Sequence, residues 1–191
     1  VALVEAGVPV SSQVTTDMLE RTGIRAALAY LRLGLDPDRM QPEDLDALME
    51  LFDRIEADPA LRVLVLTGTG RAFSAGYDLN SVADRATSAT AQPSAGSAFE
   101  AVVDRLENLG VPTICRLNGG VYGGSTDLAL ACDFRIGVDT AEMFMPAARL
   151  GLHFYRRGLE RYLSRLGVDQ AKRLFLTAEK IDAREMQAIG F

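Results

Sequence analysis

The sequence predicts an α/β domain with largely parallel strands, and three observations carry that expectation. Short apolar runs alternate with amphipathic stretches at strand–helix spacing, two glycine turns each follow one of those runs, and the final third of the chain reads as helix. A chain of 191 residues holds one domain with a proper core and is short for two.

Val1 to Thr22 has weak periodicity and Ser/Thr clusters, so residues 1–22 are expected to form an extension ahead of the core. Ala26 to Leu33 is almost wholly apolar with Arg32 near its end, which fits a strand buried on both faces. Gly34 closes it, and Asp36-Pro37-Asp38-Arg39 is turn chemistry. A helix follows from about Pro42 to Ala57, where Leu45, Leu48, Met49, Phe52 and Ile55 recur at the three-and-four spacing of one buried stripe. Pro42 suits its first turn, Glu43 and Asp44 suit its positive end, and Asp58-Pro59 stops it.

Leu61 to Thr67 reads as a strand, Asn80 to Ser97 as a mobile loop rich in Ala, Ser and Thr, and Phe99 to Leu109 as helix. Strands are expected at Val111 to Leu117, Phe134 to Val138 and Met143 to Met145, with a helix from Ser125 to Cys132. Helices then dominate, near Leu159 to Leu166, Asp169 to Thr177 and Asp182 to Ala188.

Composition narrows the function. With 48% hydrophobic and 24% charged residues the chain is ordinary for a soluble globular protein. A net charge of -6 and no sustained Lys/Arg stripe argue against nucleic acid as a partner. Any phosphate must therefore be recognised by local arginines rather than by a global field. Cys115 and Cys132 fall in apolar segments and read as reduced thiols of a cytoplasmic protein. No stretch approaches the roughly 20 apolar residues that span a bilayer, and Val1–Val10 makes a poor signal peptide.

The chemistry is concentrated in two glycine turns. One is Phe73-Ser74-Ala75-Gly76-Tyr77-Asp78-Leu79. The other is Asn118-Gly119-Gly120-Val121-Tyr122-Gly123-Gly124-Ser125-Thr126-Asp127-Leu128, which opens a helix. Glycines at strand-to-helix junctions let backbone N–H groups approach a ligand, and two such turns could aim two donors at one oxygen. Plain tight packing of strand on helix also fits Gly123 and Gly124.

At these motifs the chain resembles the crotonase family, the enoyl-CoA hydratases and isomerases, from about Ala27 to Phe191. The resemblance implies a spiral of ββα turns, with a core at 23–166 and the start of a C-terminal helical trimerisation region at 167–191. It implies an acyl-CoA thioester as substrate, with coenzyme A as part of that substrate and no separate cofactor or metal, and a homotrimer or dimer of trimers. Relatives of this kind continue for several dozen residues beyond Phe191, so the sequence reads as a fragment or as lacking a mobile C-terminal region.

The same resemblance assigns residues. The oxyanion donors are the N–H groups of Tyr77 and Gly124. Asp127 stands where the hydratases carry a general acid/base glutamate, with a reach shorter by roughly an ångström. The second hydratase glutamate follows a proline; here Met145-Pro146 is followed by Ala147, so ordinary hydration is not expected. His153, the single histidine, lies in the loop where some relatives place a catalytic aspartate, and it can serve as base or acid. Tyr155 and Glu142 are secondary candidates for that work. Coenzyme A would be held through Ala75 and Leu79 in the turn and through Asp38, Arg39 and Met40 before the first helix, with Arg39 or Arg71 suited to a phosphate.

Several functions fit these residues. Enolate chemistry on a thioester covers isomerisation, decarboxylation and C–C bond hydrolysis. A non-catalytic acyl-CoA-binding homologue is an alternative, as is a β-diketone hydrolase using His153. Ser125 with His153 would make a serine hydrolase, on the pattern of the Clp proteases that share the fold.

Overall fold

The structure, a computed structural model, describes residues 28–32, 42–76 and 95–191. The expected extension at 1–22, most of the expected loop at 80–97, and Asp38, Arg39, Met40, Tyr77 and Leu79 lie outside the described residues.

Two four-stranded sheets are built in alternation. Strands β1 (Leu28–Arg32), β2 (Val63–Thr67), β4 (Thr113–Leu117) and β6 (Phe134–Gly137) form the first, in the order β1-β2-β4-β6 and parallel throughout. Strands β3 (Ala72–Ser74), β5 (Gly120–Tyr122), β7 (Glu142–Phe144) and β8 (Lys180–Asp182) form the second, with β8 antiparallel to β7. Helix α1 (Pro42–Ala57) joins β1 to β2, α2 (Ala95–Glu107) follows β3, and α3 (Ser125–Ala131) follows β5. A short 3-10 helix (Ala147–Leu150) follows β7, and then come α4 (Arg156–Leu166), α5 (Val168–Thr177) and α6 (Ala183–Ile189).

Successive ββα turns thus give their first strand to one sheet and their second to the other. This is the winding that the family resemblance implied. The first sheet was legible because its strands are four or five residues long and rich in apolar side chains; Leu64, Val65 and Leu66 of β2 are all buried. Three of the four strands in the second sheet were not expected. At three residues each they are too short to show a period, and β5 begins with a glycine. Helix α2 starts at Ala95, four residues before the expected Phe99. Helix α6 starts one residue late because the Asp182 side chain caps it, accepting from the Glu185 N–H at 2.9 Å.

The core lies between the sheets and the helices. The α1 stripe of Leu45, Leu48, Phe52 and Ile55 is buried as its spacing required, with Met49 packed at its edge. Arg105 of α2 bridges to Asp53 and Glu56 of α1 at 2.9 and 2.6 Å on the solvent side. Asp133 closes the second turn: its carboxylate accepts from the Thr113 N–H and hydroxyl, which ties the end of α3 to the start of β4. Both cysteines are buried, and burial raises the Cys115 thiol well above its ordinary range.

Candidate active site

The long glycine motif divides into two halves. In the first half, Asn118 is a bracket for the preceding turn. Its side-chain carbonyl accepts from the Gly68 N–H at 3.0 Å, and its amide donates to the carbonyls of Gly70 and Ala72, both at 3.0 Å. Gly119 has no room for a side chain: a Cβ there would stand 1.9 Å from the Arg71 carbonyl oxygen. Gly120 lies beneath the Tyr122 hydroxyl, 2.1 Å from where its Cβ would be.

The second half is open. Gly123 adopts φ +57° with nothing within 4 Å of a Cβ, and its N–H donates to the Phe144 carbonyl at 2.8 Å. Gly124 stands at the N-terminus of α3 in ordinary helical geometry, and its N–H has no hydrogen-bond acceptor among the described residues. The Phe99 ring lies 3.3 Å from where its Cβ would be. An N–H left unpaired at a helix start, beside an aromatic wall, has the chemistry to donate to a ligand oxygen.

The first glycine turn reaches the same place. Gly76 has φ +90° and packs against the Tyr122 backbone so closely that a Cβ would meet that carbonyl at 2.7 Å. Ser125 ties the two turns together. Its hydroxyl accepts from the Tyr122 N–H at 3.1 Å and lies within hydrogen-bond reach of the Tyr122 and Ser74 carbonyls, at 2.7 and 3.3 Å. A buried hydroxyl committed to three backbone groups is a strut rather than a nucleophile, and His153 is not among its partners.

Asp127 lies one turn into α3 and is fully buried. Its Oδ2 accepts from the Tyr155 hydroxyl and from the Arg161 guanidinium, the latter at 2.5 Å; its Oδ1 has no partner among the described residues. Arg161 is itself buried and also reaches Asp104 at 2.5 Å and Glu107 at 3.1 Å. One guanidinium therefore faces three carboxylates from two helices, α2 and α3. Burial raises the Asp127 carboxyl above its usual range, although Arg161 and Tyr155 pull it back. Burial and the Asp127 charge both raise the Tyr155 phenol, so it stays protonated at neutral pH. Burial works against the Arg161 charge, but Asp127 and Glu107 outweigh it and raise that group.

Tyr155 is half-buried at the N-terminus of α4, edge-on to Phe99 with ring centres 6.1 Å apart and tilted against Phe154 at 4.5 Å. Gly158 makes room for that wall, since a Cβ there would stand 2.2 Å from the Phe154 ring. Ala147 is buried at the start of the 3-10 helix. His153 is exposed, and its side chain bonds to nothing among the described residues. Glu142 lies apart from this cluster: it accepts from the Tyr122 hydroxyl and from Lys180, which holds its carboxyl below the usual range. Ala75 is exposed beside Gly76.

The structure thus brings together Gly124, Asp127 and Tyr155, and leaves His153 outside. Arg161, Asp104 and Glu107 were missed. A signal did exist: Arg161 falls on the buried face of α4 with Gly158, Tyr162 and Leu166, where a charge requires a partner. Among the described residues no group of His, Cys, Asp and Glu side chains is placed to hold a metal ion, and no helix is long and apolar enough to cross a membrane.

Two sheets wound from ββα turns, with two glycine turns meeting beside a helix start, define a crotonase-type fold. A family model described as enoyl-CoA hydratase/isomerase matches residues 36–191, and the chain belongs to that family. The crotonyl-CoA hydratase of Syntrophomonas wolfei is 34% identical over 158 residues, covering 81% of this chain and 60% of the relative. The carnitinyl-CoA dehydratase of Proteus mirabilis is 34% identical over 156 residues, covering 78% and 58%. An enoyl-CoA hydratase structure from Bacillus anthracis superposes with a TM-score of 0.72 at 33% identity, covering 80% of this chain and 58% of that one. Pseudomonas aeruginosa DspI gives 0.72 at 30% identity, covering 81% and 59%. The chain therefore spans less than two thirds of the length of these relatives.

Proposed function

We propose that this protein acts on an acyl-CoA thioester by enolate-forming proton transfer. The observation that carries this is the Gly124 N–H at the start of α3, unpaired among the described residues, with the Gly76 turn packed beside it. As the α-proton leaves, charge moves to the thioester oxygen. The Gly124 N–H receives that charge, and the Tyr77 N–H, one residue past Gly76, is its second donor. Asp127, in the first turn of α3, is the group that takes and returns the proton.

Hydration of a double bond needs a second group to activate water, and Ala147 offers none. A proton shift within the acyl chain needs only one acid/base, so isomerisation fits this site better than hydration. His153, exposed and unpartnered among the described residues, has no part in this scheme. Coenzyme A enters as part of the substrate, with the backbone at Ala75 and the segment 38–40 as its expected holders.

The test is deuterium exchange at the α-carbon of a short acyl-CoA in heavy water. Gly124→Pro removes the donor, and a loss of roughly 100- to 1,000-fold is expected, about 3 kcal/mol of barrier. Unchanged exchange in a folded Gly124→Pro protein excludes the oxyanion role. One observation favours a second reading, a homologue that binds acyl-CoA without turning it over: Asp127 is fully buried and ion-paired. Saturable thioester binding with no exchange at any pH would select it.

A further inference from the structure

Asp127 offers no exposed surface of its own in this arrangement. The residue is fully buried, and Tyr155 donates to its Oδ2 from a half-buried position. Tyr155 and Gly124 share a neighbour in the Phe99 ring, which packs over Gly124 on one side and meets Tyr155 edge-on at 6.1 Å. Asp127 links the two: its N–H donates to the Gly124 carbonyl at 3.0 Å, and its carboxylate accepts from the Tyr155 hydroxyl, which puts the phenol within one residue of the Gly124 turn. The phenol also stands on the segment that follows Ala147, the position where a second carboxylate is absent.

Resting on the proposed function above, the geometry points to Tyr155 as the catalytic residue that touches the substrate, relaying its proton to Asp127. In the forward step the α-carbon–hydrogen bond breaks and its proton forms a new bond to the Tyr155 oxygen. The hydroxyl proton that Tyr155 already directs at Asp127 moves to Oδ2. The electron pair left on carbon is delocalised onto the thioester oxygen, where the Gly124 N–H receives it. No free phenolate forms, and the net change is one proton on Asp127. The reverse step, delivered to a different carbon of the enolate, completes an isomerisation with atoms and charge balanced.

Two features suit Asp127 to the receiving role. Its Oδ1 has no donor among the described residues, so the anion is incompletely stabilised and keeps its affinity for a proton. Arg161, which would otherwise hold the carboxylate fully ionised, is shared with Asp104 and Glu107. The ring of Tyr155 is fixed by Phe99 and Phe154, so the hydroxyl is held in line rather than free to turn into solvent.

The experiment measures α-deuterium exchange and acyl-CoA affinity for the wild type, Tyr155→Phe, Asp127→Asn and the double variant. Expected is a loss of at least about 100-fold in exchange for each single variant. The double variant should lose no more than either, because the two groups act as one unit. Thioester affinity should stay within about threefold. Exchange by Tyr155→Phe within about threefold of wild type, with Asp127→Asn inactive, overturns the relay and leaves the proposed function standing. Absence of exchange in the wild type overturns both. If Tyr155→Phe does not fold, 3-fluorotyrosine at 155 keeps the shape and the hydrogen bond while making the phenol more acidic. A changed exchange rate at unaltered thioester affinity is then expected, and an unchanged rate overturns the relay.

Discussion

Two glycine pairs lie within six residues of each other in the 118–128 motif and do opposite work. Gly119 and Gly120 are consumed by packing: side chains there would run into the Arg71 carbonyl and the Tyr122 hydroxyl. Gly123 and Gly124 face open space and one aromatic ring, and one of them keeps a free N–H among the described residues. Glycine in a sequence marks only that a side chain is missing. What fills the vacated volume decides whether the residue builds the fold or serves a ligand.

The largest expected effect lies just behind this motif. Arg161→Met would leave Asp127 buried without its cation, at a cost of about 3–5 kcal/mol in chemical denaturation. Asp127→Asn combined with it should recover part of that loss, since the uncompensated charge is gone. On the packed half, Gly119→Ala forces a methyl group against backbone and should cost about 3 kcal/mol or more. Asn118→Ala strands the donors and acceptors it serves and should cost about 2 kcal/mol. Equal stability of Gly119→Ala and wild type would erase the distinction between the halves.

On the open half the effects on stability are small. Gly123→Ala meets no neighbour and pays only for its left-handed backbone, about 1–2 kcal/mol. The smallest effect concerns pH. Glu142 holds the Tyr122 hydroxyl over Gly120, and Lys180 followed by Tyr122 lowers its carboxyl below the ordinary 4.5. A lowered carboxyl contributes stability above its ordinary value and loses it as pH falls through the folded value. Glu142→Gln should therefore cost less than about 1 kcal/mol at neutral pH, with the difference vanishing in acid. A pH-independent difference would mean that the charge is not what holds Tyr122.

Legibility in the sequence followed the same physical division. The first sheet, the α1 stripe and the helical last third could be read because each repeats a period over enough residues to show it. The three-residue strands of the second sheet carry no such signal and are fixed by pairing with distant partners; β3 meets β5 across more than forty residues. Gly124 and Asp127 were found by motif, whereas the Asp127–Arg161–Tyr155 cluster was not, because Asp127 on α3 meets the N-cap residue and a buried arginine of α4 about thirty positions further along the chain. Asp127 reads as an open acid/base in the chain, whereas the structure buries it with a phenol in front of it. His153 stood out as the single histidine, yet the fold leaves it at the surface.

Gly124→Ala and Gly124→Pro together isolate the contribution of the Gly124 N–H, with α-deuterium exchange into a short acyl-CoA as the readout. Both substitutions place a carbon at the same distance from Phe99, and the helical φ of -57° accepts either residue. Only proline removes the N–H. The oxyanion role requires that Gly124→Ala keep exchange within about tenfold of wild type while Gly124→Pro loses roughly 100-fold or more. Equal rates in the two folded variants would contradict it.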